Sequence, residues 1–425
     1  MVIAVWITSG MLSLAGALTY AELSAMFPEA GGEYIFIREG YGPRMGFVYG
    51  WTQFMISYTA SQAAKGAAFA VFLNVLMGGT LNLEYAHLNL LGHVLTFGRM
   101  QVISLAIVGI VTLVNFSAVS VTGKVAAFLT ALKVVLILGV GIGTFLFAKG
   151  SWAHLMMNGS GGTCEGVAAG ARGGIAGFGA AMLGALWAYD GWSNLTIVAG
   201  EVKNPQRNLP FALIGGMSLI VGLYCLVNLA YFYSMTPLEI ASVPAVSAVA
   251  TEVIARIVGP LAASLMAAAL LTSTLGSLYT GILTGARIPY AMAEDGLFFR
   301  GLAQVSSRTH IPRNALILQA IWIFVLVLTG SFDSLTDYAM FASWIFYGLA
   351  TGSLFIFRRK LPNADRPYRV LGYPVVPIIV LVLASFLIIN TIWTAPLRSV
   401  IGLGFIAIGL PFYYYWSRKR RDLPA

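Results

Sequence analysis

The sequence predicts an all-α polytopic membrane protein, and three observations carry that prediction. Of its 425 residues 58% are hydrophobic and only 10% charged, whereas soluble globular domains run near about 25% charged. Apolar windows of about twenty residues, the length a helix needs to cross a bilayer, recur at 2–26, 46–77, 101–121, 125–148, 175–200, 211–234, 260–293, 315–330, 334–357, 375–393 and 400–416. That makes about eleven spans. With the spans alternating sides, most Lys and Arg residues fall on one face, including Arg358, Arg359, Lys360, Arg366, Arg369 and the tail from Arg418 to Arg421. Such a bias marks cytoplasmic loops and accounts for the formal charge of +9 without nucleic acid. It puts the C-terminus in the cytoplasm and, for an odd number of spans, the N-terminus outside.

The first window lacks the basic start and the A-x-A exit of a secretory signal, so it reads as a span. The connection FPEAGGEYIFIREGYGP, 27–43, mixes paired glycines, acids and aromatics and suits a short re-entrant or interfacial helix. In the next window Ser57 and Ser61 lie one turn apart on one face, although hydroxyls in such helices also bond their own i−4 carbonyls. Lys65 follows by another turn, placed either to bind a carboxylate or to stretch toward an interface. Lys133, in TALKVVLILG, is a cation deep in an apolar run, costing several kcal/mol unless it is paired or solvated. The outer stretch 78–100 reads as a loop. The outer loop 149–174 is glycine-rich and expected to be mobile, and its Asn158-Gly159-Ser160 matches a sequon only weakly. Residues 244–258 carry helical periodicity before Gly259-Pro260 and predict an outer surface helix. The pairs Gly139, Gly143 and Gly281, Gly285 predict close helix packing.

One window is broken at its middle. In GALWAYDGWSNLTIVAGE, 184–201, the residues Ala188, Tyr189, Asp190 and Gly191 stand where a spanning helix wants aliphatics, and an Asp there costs about 2.5–3.5 kcal/mol. Irregular backbone at membrane depth is tolerated only where protein buries it or where it lines a cavity, so the break reads as half of a substrate site. Asp190 either helps hold a substrate ammonium or, with Gly191, N-caps a second half-helix from Trp192 onward. Trp187, just before the break, is a gate or plain packing. No enzyme is indicated: there is no P-loop, and His87, His93, His154 and His310 fall singly in predicted loops. Two cysteines, Cys164 and Cys225, make neither a disulfide framework nor a zinc site. No cofactor and no metal are expected.

Five stretches in order, YAELSAMFPEAGGEYIFIREGYGP, AYDGWSNLTIVAGEVKNPQRNLP, GARIPYAMAEDGLFFRGLAQVS, FRRKLPNADRPYRVLGYPVVP and TAPLRSVIGLGFIAIGLPFYYYW, resemble the amino acid, polyamine and organocation transporters, and the last two look most like the L-type amino acid transporter branch. The resemblance implies an inverted-repeat transporter fold with broken helices, about eleven spans present of an expected twelve. It implies a single transporter domain over 1–425, in which 1–148 is the remainder of the first inverted repeat, 175–358 the second, and 374–418 two C-terminal helices. The implied activity is secondary transport of amino acids across the plasma (inner) membrane, as permease or exchanger, by alternating access. The substrate would sit at the unwound helix formed by Trp187, Ala188, Tyr189, Asp190 and Gly191, with Trp187 as the aromatic lid. Ser57 and Ser61, Ser277 with Thr280, and Ser343 with Trp344 are the further positions the resemblance brings to the site. Lys133 matches the lysine that stands in for a sodium ion in many relatives, and Lys65 occupies a position where the family usually has a small apolar residue. Glu22, Glu201 and Arg287 look like inner-gate or loop-anchoring charges.

In that family the first span carries a glycine-rich break that receives the substrate carboxylate, and this chain opens on the family's second span. The expectation is therefore a truncated gene model or fragment of such a transporter. The alternatives are a non-transporting membrane sensor or partner protein, and a polyamine or other cation transporter, against which Asp190 is the one acid expected at the site beside Lys65 and Lys133. Expected partners are an amino acid substrate and the lipid bilayer, with no nucleic acid. The loop 78–100 lacks the cysteine that bonds a heavy subunit in the heteromeric branch, and Cys164 lies in a different loop, so no obligate disulfide-linked partner is expected.

Overall fold

Backbone polar groups in a bilayer have no water to bond, so a spanning chain must satisfy them within its own helices. In a computed structural model of the protein, which describes residues 2–90, 93–117, 119–157, 162–164, 172–244, 248–309, 311–329, 332–394 and 396–421, seventeen α-helices do so. They are α1 (Val2–Met26), α2 (Glu33–Tyr41), α3 (Pro43–Thr52), α4 (Tyr58–Leu76), α5 (Arg99–Val114), α6 (Val119–Phe147), α7 (Gly174–Tyr189), α8 (Asn194–Ile197), α9 (Pro205–Ser234), α10 (Pro237–Ala241), α11 (Val249–Val258), α12 (Ala262–Gly285), α13 (Arg287–Glu294), α14 (Arg313–Thr329), α15 (Phe332–Lys360), α16 (Val375–Thr394) and α17 (Pro396–Arg421). Seven helical stretches are long and apolar enough to cross a membrane by length and composition, and α5, α7 and α14 are shorter apolar helices. The remaining window, 46–77, is α3 and α4 joined by a π-helical turn over Gln53–Ser57. Every window thus has a helical counterpart, and the protein is an all-α polytopic membrane protein with broken helices.

The packing sets where the breaks fall. Helix α1 lies along α9 and against α7, α4 is held between α12 and α15, and α17 covers α3. Gly281 and Gly285 let α12 approach α4 closely, the one against Gln62 and the other against the Tyr58 ring. Gly139 and Gly143 have nothing within 4 Å of where a Cβ would stand, so the packing expected of that pair is not formed among the described residues. Helix α2 is buried on nearly every side, with Tyr34, Phe36 and Ile37 at 0% exposure. A helix lying on an interface would keep a polar face in water, so α2 dips into the bundle.

Ion pairs close the end of the bundle where α1, α8, α12 and α15 terminate. Glu22, fully buried on α1, accepts from Arg358 through both oxygens at 3.0 and 2.6 Å and from the Val370 backbone N–H at 2.7 Å. Arg366 stands 3.4 Å away on the same carboxylate. Arg38 holds Asp295 at 2.7 Å and Arg287 holds Glu201 at 2.9 Å, the loop-anchoring geometry expected of Glu22, Glu201 and Arg287. At the other end, Thr236 and Glu239 form a capping box for α10, and Arg256 of α11 bonds Glu239 at 2.8 Å. Helix α11 stands within 244–258, where the periodicity predicts a helix.

The stretch 78–100 is not the plain loop expected. Glu84–Leu90 (β1) and His93–Gly98 (β2) pair antiparallel, with Leu90 opposite His93. Alternation in EYAHLNL and HVLTFG suits a two-sided ribbon, but runs this short are ambiguous by pattern alone. His87 and His93 consequently lie on strands, and His154 lies in a short 3₁₀ turn. The Asn158-Gly159-Ser160 sequon and His310 lie outside the described residues.

Two outcomes follow from these contacts. Glu22→Ala leaves buried guanidinium groups without their carboxylate and should destabilise the protein by about 3–5 kcal/mol, read as a fall in the unfolding temperature in detergent. The Glu239 carboxyl is pulled from 4.5 down to about 2, first by the Thr236 backbone N–H and then by Arg256. A depressed carboxyl stabilises the folded state above its unfolded value and loses that contribution as pH falls through the folded one. The stability advantage of wild type over Glu239→Gln should therefore be complete above pH ~4.5 and shrink toward pH ~2, as followed by amide exchange across α10.

Candidate functional site

The site is built where α7 stops. Its regular bonds end at Tyr189, Asp190 turns the chain to an extended conformation, and Gly191 continues at φ 102°. That is a left-handed value which glycine adopts without the Cβ penalty. The second half-helix α8 starts at Asn194 behind Ser193. The expected N-cap is corrected here. The Asp190 carboxylate accepts the Tyr347 phenol of α15 at 2.6 Å, and Ser193, the residue at the cap, provides no side-chain hydrogen bond to α8. The freed backbone is partly satisfied from outside: Tyr224 of α9 donates to the Ala188 carbonyl at 2.8 Å, and the Gly31 N–H reaches the Ile197 carbonyl at 2.9 Å.

That last bond places an acid the sequence reading missed. Gly32 sits directly against the backbone of Thr196 and Ile197, where a Cβ would meet the Ile197 nitrogen at 2.9 Å. The glycine pair therefore allows α2 to begin in contact with α8, and its first residue, Glu33, is buried beside the break at 2% exposure. Tyr49 of α3 donates to Glu33 Oε2 at 2.6 Å. Opposite, the π-helical turn adds one residue to the α3–α4 helix, and Thr59 Oγ1 bonds back to the Phe54 carbonyl at 2.8 Å. Such turns widen a helix and recur at functional sites. Here the turn brings Gln53, Ser57, Tyr58, Ser61, Gln62 and Lys65 to one wall.

These groups enclose a cavity of about 50 Å³, enough for a few waters. Of the expected site residues it gathers Trp187, Asp190, Gly191, Ser57, Ser61, Ser343 and Lys65. To these the structure adds Glu33, Tyr49, Gln53, Tyr58, Gln62, Ser193, Asn194 and Tyr347. Tyr347 lies one turn beyond Ser343 on α15, so helical spacing from Ser343 could have found it. For Glu33 no sequence signal existed beyond the glycine pair before it. Glu33 Oε1, Ser57 Oγ and Gln62 Oε1 have no protein hydrogen-bond partner among the described residues, so the cavity presents unspent polar capacity.

Six expected residues fall elsewhere. Tyr189 is buried at 1% and donates to the Trp6 carbonyl of α1 at 3.2 Å. Ala188 and Lys133 line a second, more apolar cavity between α6, α9 and α12. Lys133 is not left unpaired, because its Nζ donates to Ser277 at 2.6 Å, and Ser277 is thereby turned toward α6 rather than into the first cavity. Thr280 bonds back to the Gly276 carbonyl at 3.0 Å. Trp344 is buried behind Tyr347, with ring centroids 5.4 Å apart. The expectation of one acid at the site is corrected as well: Glu33 and Asp190 both line the cavity, with Lys65 as its one cation among the described residues.

A family model described as amino acid permease matches residues 1–413. The chain belongs to the amino acid permease family. Among curated relatives, this permease is similar to the b(0,+)-type amino acid transporter 1 of Mus musculus, at 29% identity over 96% of this chain and 79% of the relative. It is likewise similar to the cystine/glutamate transporter of Homo sapiens, at 28% identity over 99% and 79%. The serine/threonine exchanger SteT of Bacillus subtilis matches at 28% over 98% of this chain and 88% of its own length.

The composition of the cavity can be checked by thiol chemistry in a Cys164→Ser, Cys225→Ser background of this permease. Ser61→Cys and Ser343→Cys, on the cavity walls, should react with a small cationic thiol reagent. Ser353→Cys, on the same helix as Ser343 but packed against Gly40 at 0% exposure, should react at least about tenfold more slowly, as a buried thiol does.

Proposed function

We propose that this permease is a secondary transporter of amino acids, working as a permease or exchanger by alternating access, with the substrate held at the cavity beside the α7 break. The observation that carries this reading is the convergence of Lys65 with Asp190 and Glu33 on one cavity. A zwitterion presents a carboxylate and an ammonium together, and such a wall offers a partner to each. Lys65 takes the carboxylate. Asp190 and the carbonyl end of α7, where the helix dipole is negative, take the ammonium. Trp187 covers the bound substrate. Membership of a family whose similar relatives are named as transporters and exchangers of amino acids supports the same reading and no enzymatic role. Within it, 1–148 is the remainder of the first inverted repeat, 175–358 the second and 374–418 two C-terminal helices, Lys133 is the cation that substitutes for a coupling ion, and the protein sits in the plasma (inner) membrane with its basic loops and C-terminus in the cytoplasm.

A second reading has an observation behind it. Two acids to one lysine make the cavity acidic on balance, which favours amino acids with a cationic side chain or, at the limit, amines without a carboxylate. Uptake of radiolabelled amino acids into proteoliposomes preloaded with unlabelled amino acid separates the readings. Wild type should exchange amino acids and discriminate against their decarboxylated amines. Lys65→Met should raise KM for the amino acid by about ten- to a hundredfold, the loss of a charged hydrogen bond worth about 1.5–3 kcal/mol, and leave the amine unaffected. Equal uptake of the amine by wild type would establish the cation reading instead, and no exchange of either would leave a membrane protein that does not transport them.

A further inference from the structure

The last turns of α17 meet the turn that follows α13, and the junction is unlike the rest of the surface. Trp416, 7% exposed, is packed among Phe298 at 5.0 Å, Phe299 at 5.3 Å and Phe47 at 5.9 Å between ring centroids. Over this aromatic floor lies a cleft of about 330 Å³ with Arg300 on one wall and Lys419 on the other. A second hollow continues from it along α17, shares Tyr415 and Lys419, and adds Arg418. Among the described residues no acid lines either hollow. The carboxylates at the end of α13 are engaged: Asp295 by Arg38 and Tyr34, and Glu294 by the Tyr290 hydroxyl. Among the described residues, Arg300, Arg418 and Lys419 take part in no ion pair.

Two cations on the cleft and a third on the hollow that adjoins it, unpaired among the described residues, call for an anion, and the surroundings say which kind. Phe299 and Tyr415 are 57% and 59% exposed at the rim, where a dissolved phosphate would gain nothing from them. Below the cleft the outer face of α17 stays apolar and exposed through Phe412, Ile408 and Phe405, a bed for an acyl chain. Tyr and Trp beside Lys and Arg are the residues of the headgroup level, and juxtamembrane cations attract the anionic lipids of the cytoplasmic leaflet. We propose that this cleft is a binding site for an anionic phospholipid, its phosphate held between Arg300, Arg418 and Lys419 and its first acyl chain laid over Phe299 and Phe412. The bound lipid would join the end of α17 to the turn after α13, whose Asp295 holds Arg38 of α2.

The test is native mass spectrometry of the full chain, delipidated in neutral detergent and titrated with phosphatidylglycerol, with phosphatidylcholine and with inorganic phosphate. Phosphatidylglycerol should be retained about ten- to a hundredfold better than phosphatidylcholine, as expected for a few basic contacts. The triple variant R300Q, R418Q, K419Q should lose that preference. A control pair, R359Q and K360Q, removes two exposed cations elsewhere on the same basic face and should keep it. All of these side chains are exposed, so folding should survive, and each single variant should show a partial loss if the triple variant does not. Equal retention of the two lipids, an undiminished preference in the variants, or displacement of phosphatidylglycerol by an equal concentration of inorganic phosphate would overturn the proposal.

Discussion

The break in α7 is the constraint to which the surrounding architecture answers. Interrupting a helix away from water frees carbonyl and N–H groups that cost several kcal/mol each if left unpaired. Every neighbour of the break contributes a partner or a lining group. Tyr224 donates from α9, the Gly31 N–H from the start of α2, and Tyr347 from α15 to the Asp190 carboxylate. Each donor requires its own helix at a set distance, so the break fixes the positions of three elements far apart in sequence. The cavity is the space left when those donors are in place and the groups between them remain polar.

Closeness at this centre comes from small residues, and polarity from phenols. Gly32 against α8, and Gly281 and Gly285 against α4, bring backbones nearer than any side chain would allow. Packing of that kind replaces the hydrophobic drive that is absent between helices in lipid. Tyr49 and Tyr347 then donate to the carboxyl groups of Glu33 and Asp190, neutral donors that add no charge of their own to the cavity.

The fold was largely legible in the sequence, because apolar windows and the Lys and Arg distribution depend only on composition along the chain. The broken window was legible for the same reason: Asp190 and Gly191 violate a strong local rule. What the sequence could not convey was facing. Nothing local states that the helix from Pro43 to Leu76 takes a π-helical turn at Gln53–Ser57, nor that Glu33 enters the cavity while Ser277 turns to Lys133. The facing of Glu33 and of Ser277 rests on contacts between residues more than a hundred positions apart, Gly31 with Ile197 and Lys133 with Ser277. The β1–β2 hairpin was missed for a different reason, since two short alternating runs in an outer connection do not outweigh the reading of a loop.

The Glu22 cluster bears on how such a chain comes to be assembled. Glu22 on α1 is made well before Arg358 and Val370, which bond it and lie 336 and 348 residues further on. Over that interval of translation this carboxylate is without its native partners, and so the bundle cannot be locked at that end helix by helix as it is made. The early helices stay free to adjust their neighbours until the segment after α15 arrives and closes the cluster. Arrival of that late segment, rather than insertion of any one of the early helices, is the event that commits this end of the bundle to its final packing.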